Sequence, residues 1–343
     1  MSKDKLFMNA INEGLDQAME KDENVILLGE DIAGGADVPH LEEANEDSWG
    51  GVMGITSGLM PKYGRERVVD TPLSEMGYMS SAVGMAATGL RPVPELMFND
   101  FIGFAFDAIL GQASKMRYMF GGKAKIPMTV RTMHGAGVNA AAQHSGSYYG
   151  MFASIPGVKV VVPATPYDAK GLLLSAIEED NLVVYSEDKT LYSTKGEVPD
   201  DYYTIPIGEA DVKRKGEHLT IVTIGKMLFV GLEVAERLEK DNVSVEVIDL
   251  RTVAPWDKDT VIESVKKTGR LIVIDEANPH NNTATDIASV ISDRAFDFLD
   301  GPIKCICAPN TPVPFAPNLE QAYIPDADKV LKEADDIIFD LKS

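Results

Sequence analysis

The sequence predicts an α/β protein of two domains, each a mostly parallel sheet flanked by helices. Three observations carry this. Short continuous apolar runs such as Val25-Ile-Leu-Leu28 alternate with longer segments of helical period, as expected of strands buried on both faces with helices between them. The alternation stops across residues 187–208, which are polar and hold Gly196, Pro199 and Pro206, and then resumes. A length of 343 residues is enough for two cores.

Taken in order, 6–19 has apolar residues at helical spacing, and 25–28 is the first strand. Further strands are expected at 93–98, 126–132, 158–162 and 182–185, with helices at 101–118 and 167–179. Beyond the break, strands are expected at 219–223, 243–248, 270–274 and 303–307, with helices at 229–240, 258–267 and 284–296. The proline-rich stretch 308–317 reads as a surface run, and a last helix begins near Asp326. The domains are therefore placed at 1–190 and 208–343, joined by a linker at 191–207. Residues 31–55 form a long Gly- and acid-rich segment, and segments of this kind inside compact domains are often functional. Trp49 serves there either as an anchor against a partner chain or as a pin for a surface excursion.

Composition excludes some classes. The net charge of −21 argues against nucleic acid and fits a basic protein partner. The acidic run 42–47 reads as solvated surface. No apolar stretch is long enough to cross a membrane and no basic-then-apolar leader is visible, so the expected location is cytoplasmic. Cys305 and Cys307, the only two cysteines, would share one face of a strand and lack a second pair for zinc. They read as reduced residues in or near the core.

Residues 69–92 carry the most chemical information. One acid, Glu75, heads a run of small and apolar residues, with Ser74 placed to cap it and Arg91-Pro92 to close it. On the residues alone, Glu75 is either a proton-transfer carboxyl in a packed place or an acid favoured by a helix dipole. His144, in Ala140-Ala-Ala-Gln-His-Ser-Gly146, is either a hydrogen-bonded structural residue or a proton-transfer group. His134 lies near the same loop, and His40, His218 and His280 have no clear chemical setting. Gly135-Ala-Gly-Val-Asn-Ala140 fits a dinucleotide fingerprint by spacing. It lacks the acid that should end the following strand, which reads Val160-Val-Val-Pro-Ala164. Residues 176–181 close a helix, and their carbonyls with Glu179 and Asn181 either gather round a hard cation or simply cap the helix.

Asp70-Thr-Pro-Leu-Ser-Glu-Met-Gly77 resembles the signature of the beta subunits of thiamine-diphosphate-dependent 2-oxo acid dehydrogenase complexes. Matches in the same order follow at Gly89–Phe98, Tyr118-Met-Phe-Gly-Gly122, Ala141-Ala-Gln-His-Ser145, Asp168-Ala-Lys-Gly-Leu172, Val247-Ile-Asp-Leu-Arg-Thr252 and Thr311-Pro-Val-Pro-Phe315. The resemblance covers nearly the whole chain. It implies a thiamine pyrimidine-binding domain followed by a transketolase C-terminal-like domain.

Thiamine diphosphate needs a protein carboxyl on its aminopyrimidine to become a nucleophile, and the protein supplies orientation and electrostatics. The resemblance gives that role to Glu75, and gives Leu73, Met97 and Phe101 the apolar slot for the ring. It makes His144 the active-site histidine near the incoming lipoyl group. It places a structural potassium at Met128, Ala176, Ile177, Glu179 and Asn181, although Glu179 stands where the pyruvate-type pattern has Asp. The family's magnesium kit, Gly-Asp-Gly followed by Asn, occurs nowhere in this chain. The resemblance therefore implies that an alpha subunit holds the magnesium and that the site is shared in an alpha2-beta2 heterotetramer. A lipoyl acyltransferase core would dock on the C-terminal domain.

The long segment at 31–55, Glu95-Leu-Met-Phe-Asn-Asp100 and Ile274-Asp-Glu-Ala-Asn-Pro279 resemble the acetoin branch. The implied reaction is cleavage of acetoin and transfer of the acetyl unit to a lipoyl group. The alternatives are pyruvate or branched-chain 2-oxo acid decarboxylation, a non-catalytic assembly module, and a self-sufficient transketolase-like enzyme, which the missing magnesium motif weakens.

Overall fold

A computed structural model of the chain describes residues 2–34 and 49–339. The acidic run 42–47, His40 and most of the Gly-rich segment lie outside the described residues. The chain forms two compact units, residues 1–134 with 152–207, and residues 135–151 with 208–343.

In the first unit, β1 (Ser2–Leu6) leads into α1 (Phe7–Lys21) and β2 (Val25–Gly29), followed by α2 (Leu59–Tyr63), β3 (Val68–Asp70), α3 (Glu75–Ala87) and β4 (Arg91–Phe98). Then come α4 (Ile102–Phe106), α5 (Ser114–Met119), β5 (Thr129–His134), α6 (Tyr149–Ala153, which begins in the second unit and ends in the first), β6 (Lys159–Val161), α7 (Pro166–Glu178), β7 (Val183–Asp188) and β8 (Lys195–Pro199). The parallel strands run in the order β6-β7-β5-β4-β2-β3, and β1 pairs antiparallel with β8. Strands β2, β5 and β7 are buried along their whole length; β2 accordingly reads as an unbroken apolar run, whereas β5 and β7 bury Arg131, His134, Glu187 and Asp188 among their apolar residues. Helix α1 buries Phe7, Ile11, Leu15 and Ala18 at helical spacing, each large apolar side chain contributing roughly 1.5–3 kcal/mol. The helix expected at 101–118 is broken, since a π-helical turn at Asp107–Ala113 separates α4 from α5.

Residues 191–207, expected to join the two domains, hold β8 and pack within the first unit. The motif Asp168-Ala-Lys-Gly-Leu172 explains why. Lys170 on α7 is fully buried, and its ammonium bonds Glu13 Oε1 at 2.8 Å and the carbonyls of Pro199 at 2.8 Å and Asp201 at 3.0 Å. A Cβ at Gly171 would lie 2.6 Å from Ile205, so only glycine lets that segment cross the helix.

The second unit contains β9 (Asp211–Arg214), β10 (Leu219–Thr223), α8 (Met227–Glu239), β11 (Val245–Asp249), β12 (Thr252–Ala254), α9 (Lys258–Thr268) and β13 (Leu271–Asp275). It ends with α10 (Thr283–Arg294), β14 (Lys304–Cys307), α11 (Pro317–Tyr323) and α12 (Ala327–Ile338). The sheet order is β14-β13-β10-β11-β9, parallel except for β9. Asp257, Asn282 and Asp326 cap α9, α10 and α12 through their side chains. Cys305 and Cys307 are free thiols on β14. Burial, then the nearby Asp275, pushes them up to about 11 and about 12, so they are inert at neutral pH.

At the centre of the first sheet, Arg131 on β5 binds both neighbouring strands. It donates to Glu187 on β7 at 2.7 and 2.9 Å and to Glu95 on β4 at 2.9 Å. Tyr192 completes Glu187 at 2.8 Å. Removing one partner of a buried ionic network leaves the others uncompensated, at about 3–5 kcal/mol. Arg131→Met is therefore expected to lower stability by that order in urea unfolding. A loss below about 1 kcal/mol would show that the network does not hold the strands together.

Candidate active site

Ligands of parallel α/β sheets bind beyond the carboxyl ends of the strands, and in the first unit those ends carry the acids. β2 runs into Glu30, β3 ends at Asp70, and the turn after β3 starts α3 at Glu75. Glu75 is half-buried at the first turn of α3, where the helix's unpaired N–H groups concentrate positive charge. Ser74 makes no side-chain cap, contrary to the sequence reading, and its carbonyl instead accepts from Gly77 at 2.9 Å and Tyr78 at 3.1 Å. The inward face of α3 buries Tyr78, Met79, Ala82, Val83 and Ala86. This packing fixes the helix against β4, where the Tyr78 hydroxyl donates to the Glu95 carbonyl at 2.9 Å.

Glu30 is the acid that the sequence reading missed. It is buried, and desolvation, followed by the fields of Glu75, Asp31 and Glu95, pushes its carboxyl up to about 7. The same three glutamates, after burial, hold the Tyr78 phenol well above its usual range. Glu75 and Glu95 thus both act on Glu30, with Glu95 already tied to Arg131. Only the short apolar run ahead of Glu30 signalled its place at a strand end.

Met97 and Phe101 lie at the end of β4 and beyond it. Both are half-buried against the core. The pairing of β4 with β5 skips from Leu96 to Phe98, so Met97 is the extra residue of a β-bulge. Bulges re-aim side chains and recur beside active sites. Phe101 meets Phe98 edge-on at 5.6 Å. Leu73 stands out on the surface at 84% exposure, as does Trp49 at 78%. An aminopyrimidine needs one hydrogen-bonding carboxyl and an apolar slot; Glu75 offers the first kind of group, and Met97 and Phe101 offer the second. Deeper in the sheet, Asn99 donates to Ser186 at 3.2 Å, and the Ser186 hydroxyl meets His134 Nδ1 at 2.8 Å. His134 is thus a buried structural histidine in that chain.

His144 is half-buried in the loop after β5, and that loop belongs to the second unit. Glu75 and His144 are therefore built by different units, which the sequence reading did not foresee.

The oxygens expected to hold potassium meet protein donors. Arg91 donates to the carbonyls of Ile177 at 3.0 Å and Glu179 at 3.2 Å. The Ala176 carbonyl accepts from Thr129 at 2.9 Å and from the Glu179 N–H at 3.3 Å, which takes both of its lone pairs. The Met128 carbonyl accepts from Val183 at 2.9 Å, the Asn181 amide donates to Glu179 at 2.7 Å, and Lys159 pairs with Glu179. As arranged here, with a guanidinium among them, these oxygens do not fit a potassium cage.

Comparison with known proteins agrees with the fold. Residues 5–195 match the family described as transketolase, pyrimidine binding domain, and residues 208–330 match transketolase, C-terminal domain. The chain is 57% identical over 323 residues to the acetoin:2,6-dichlorophenolindophenol oxidoreductase subunit beta of Bacillus subtilis (strain 168), covering 94% of each. It is 43% identical over 328 residues to the pyruvate dehydrogenase E1 component subunit beta of the same strain, covering 95% of this chain and 96% of that one. A solved structure described as a split gene transketolase, inactive beta4 tetramer, superposes with a TM-score of 0.75 at 20% identity, covering 98% of this chain and 99% of that one. No helix among the described residues is long and apolar enough to cross a membrane.

The raised Glu30 carboxyl has a measurable consequence. Between about pH 4.5 and about 7 the folded chain keeps a proton that the unfolded chain has released, so this residue lowers stability as pH rises through that window. Glu30→Gln is expected to gain in melting temperature relative to the parent on going from pH 5 to pH 8. Parallel pH profiles for the two proteins would contradict the buried, mutually repelling cluster.

Proposed function

The chain belongs to the beta-subunit family of thiamine-diphosphate-dependent 2-oxo acid dehydrogenase-type enzymes, and from this premise we propose that it is the beta subunit of an acetoin-cleaving complex. With an alpha subunit it would cleave acetoin, release acetaldehyde, and pass the acetyl unit to a lipoyl group of a partner acyltransferase, whose disulfide is opened and reduced in the transfer. The observation that carries the catalytic part is the Glu75 carboxylate at the first turn of α3, on the carboxyl edge of the parallel sheet. The substrate is supported by the identity gap, 57% against 43%, between two relatives from one organism.

Thiamine diphosphate supplies the carbanion chemistry when bound. Glu75 would hydrogen-bond a nitrogen of the aminopyrimidine. Met97 and Phe101 would offer its apolar slot, joined by Leu73. Glu30, pushed up to about 7 by burial and its acidic neighbours, is only partly charged near neutrality, which lightens the negative field at Glu75. His144 would supply the proton taken up by the lipoyl sulfur that leaves when the acyl unit opens the lipoyl disulfide. Magnesium belongs to the alpha subunit, because this sequence has no Gly-Asp-Gly. The pair would assemble as an alpha2-beta2 heterotetramer in the cytoplasm, with the second unit facing the acyltransferase core. Arg91 does in this chain what potassium would do at the end of α7.

Co-expression with an alpha subunit tests the reading, with reduction of 2,6-dichlorophenolindophenol measured on acetoin and on pyruvate. Activity is expected only with both chains and chiefly on acetoin. Preference for pyruvate or a branched-chain 2-oxo acid would overturn the substrate, and activity of this chain alone would overturn the shared site. Glu75→Ala is expected to lower kcat by at least about 100-fold while assembly persists. Turnover at the parental rate would leave only an assembly module.

A further inference from the structure

We propose that Glu320 is a positioning residue for acyl transfer, its buried carboxylate holding in register, together with Glu276 and Lys226, the loop that carries His144. This rests on the reading of His144 given above. Residues 135–148 form no helix or strand, so their backbone groups need other partners. Four alternate residues, Gly135, Gly137, Asn139 and Ala141, have φ of +94°, +120°, +56° and +61°. Such alternation turns neighbouring N–H groups inward into a concave anion site.

The anions there are side chains of the second unit itself. Glu320, on α11, accepts from Gly137 N–H at 2.8 Å through one oxygen and from Asn139 N–H at 2.9 Å through the other. Glu276, just past β13, accepts from Ala136 N–H at 2.6 Å. Lys226 donates to the Ala136 carbonyl at 2.6 Å and pairs with Glu276 at 2.9 Å, so that one peptide is gripped on both sides. Glu276 and Glu320 are only 3% and 2% exposed. Ala136 packs with Ala308, Val313 and Tyr323 in a small core.

A carboxylate this buried is tolerated only when it is fully bonded, and charge-assisted bonds to amides are the stronger kind. Asn139 and Ala141 carry side chains in the left-handed region, which costs energy unless neighbouring structure imposes it. Glu320 grips Asn139 two residues before Ala141, and the Ala141 carbonyl then accepts the His144 N–H at 3.4 Å. The anchor therefore sets the turn from which the imidazole projects.

The test uses the assembled alpha–beta complex with thiamine diphosphate, magnesium and an isolated lipoyl domain. Glu320→Gln keeps the shape but presents an amide N–H to a backbone N–H. Its kcat for acylating the lipoyl domain is expected to fall about 10- to 100-fold, the effect of misplacing a reacting group. The dissociation constant for thiamine diphosphate should stay parental, and the pH profile of acyl transfer should shift. Glu320→Asp should recover part of the rate, and amide exchange across 135–144 should quicken in the Gln variant. A parental kcat and pH profile despite faster exchange would overturn the proposal. So would parental protein in which the Gly137 and Asn139 amides exchange as in an unstructured peptide, a measurement that needs no variant. His144→Ala, assayed alongside, separates the two claims. A parental rate there defeats the reading of His144. A slow His144→Ala with a parental Glu320→Gln defeats the positioning alone.

Discussion

Arg131 and its two carboxylates set the constraint on which the first unit depends. A guanidinium in the middle of a sheet is stable only if both neighbouring strands bring it an acid, and β4 and β7 do so with Glu95 and Glu187. The pairing fixes the register of three adjacent strands in a sheet whose apolar residues are too alike to specify one alone. One residue past the anchored Glu95–Leu96 pair, the ladder slips and Met97 bulges out. The rigid charge and the local irregularity belong together, since a strand pinned at Glu95 can lose register at its end without losing its place.

The acids at this edge divide the work by environment. Glu95 is committed to Arg131. Glu30 is pushed up to about 7 by burial and then by Glu75, Asp31 and Glu95, so it is only partly charged beside Glu75 near neutral pH. Glu75 is half-buried at a helix start. Similar residues thus meet different environments, and burial and partners decide what each can do.

Much of this was legible in the sequence, for physical reasons. Strands buried on both faces announce themselves as apolar runs, and β2, β10 and β13 lie where those runs predict. The residues alone left Glu75 open between a proton-transfer carboxyl and an acid favoured by a helix dipole, and only the family resemblance singled it out. β1 and β8 were not legible, because a polar two-stranded ribbon stabilised by Lys170 leaves no hydrophobic period to read. The bulge at Met97 depends on pairing with another strand. Glu276 and Glu320 carried no sign of their partners, because one sequence does not reveal which glutamates meet inward-turned amides. Arg91 was read as the end of a helical run, whereas its side chain reaches the far end of α7, 86 residues on.

The long reach between Gly137 and Glu320 also bears on how the chain matures. The two residues are 183 positions apart, and loop closure over such distances must precede the contact that rewards it. A ribosome releases the first unit's last strand while the clamp residues for 135–148 are still unmade. The histidine-bearing segment therefore stays unshaped until the C-terminal helices emerge and dock. A chain that stops short of α11 can complete its first sheet and still lack an ordered His144, so the order of synthesis makes this loop a late checkpoint on completeness.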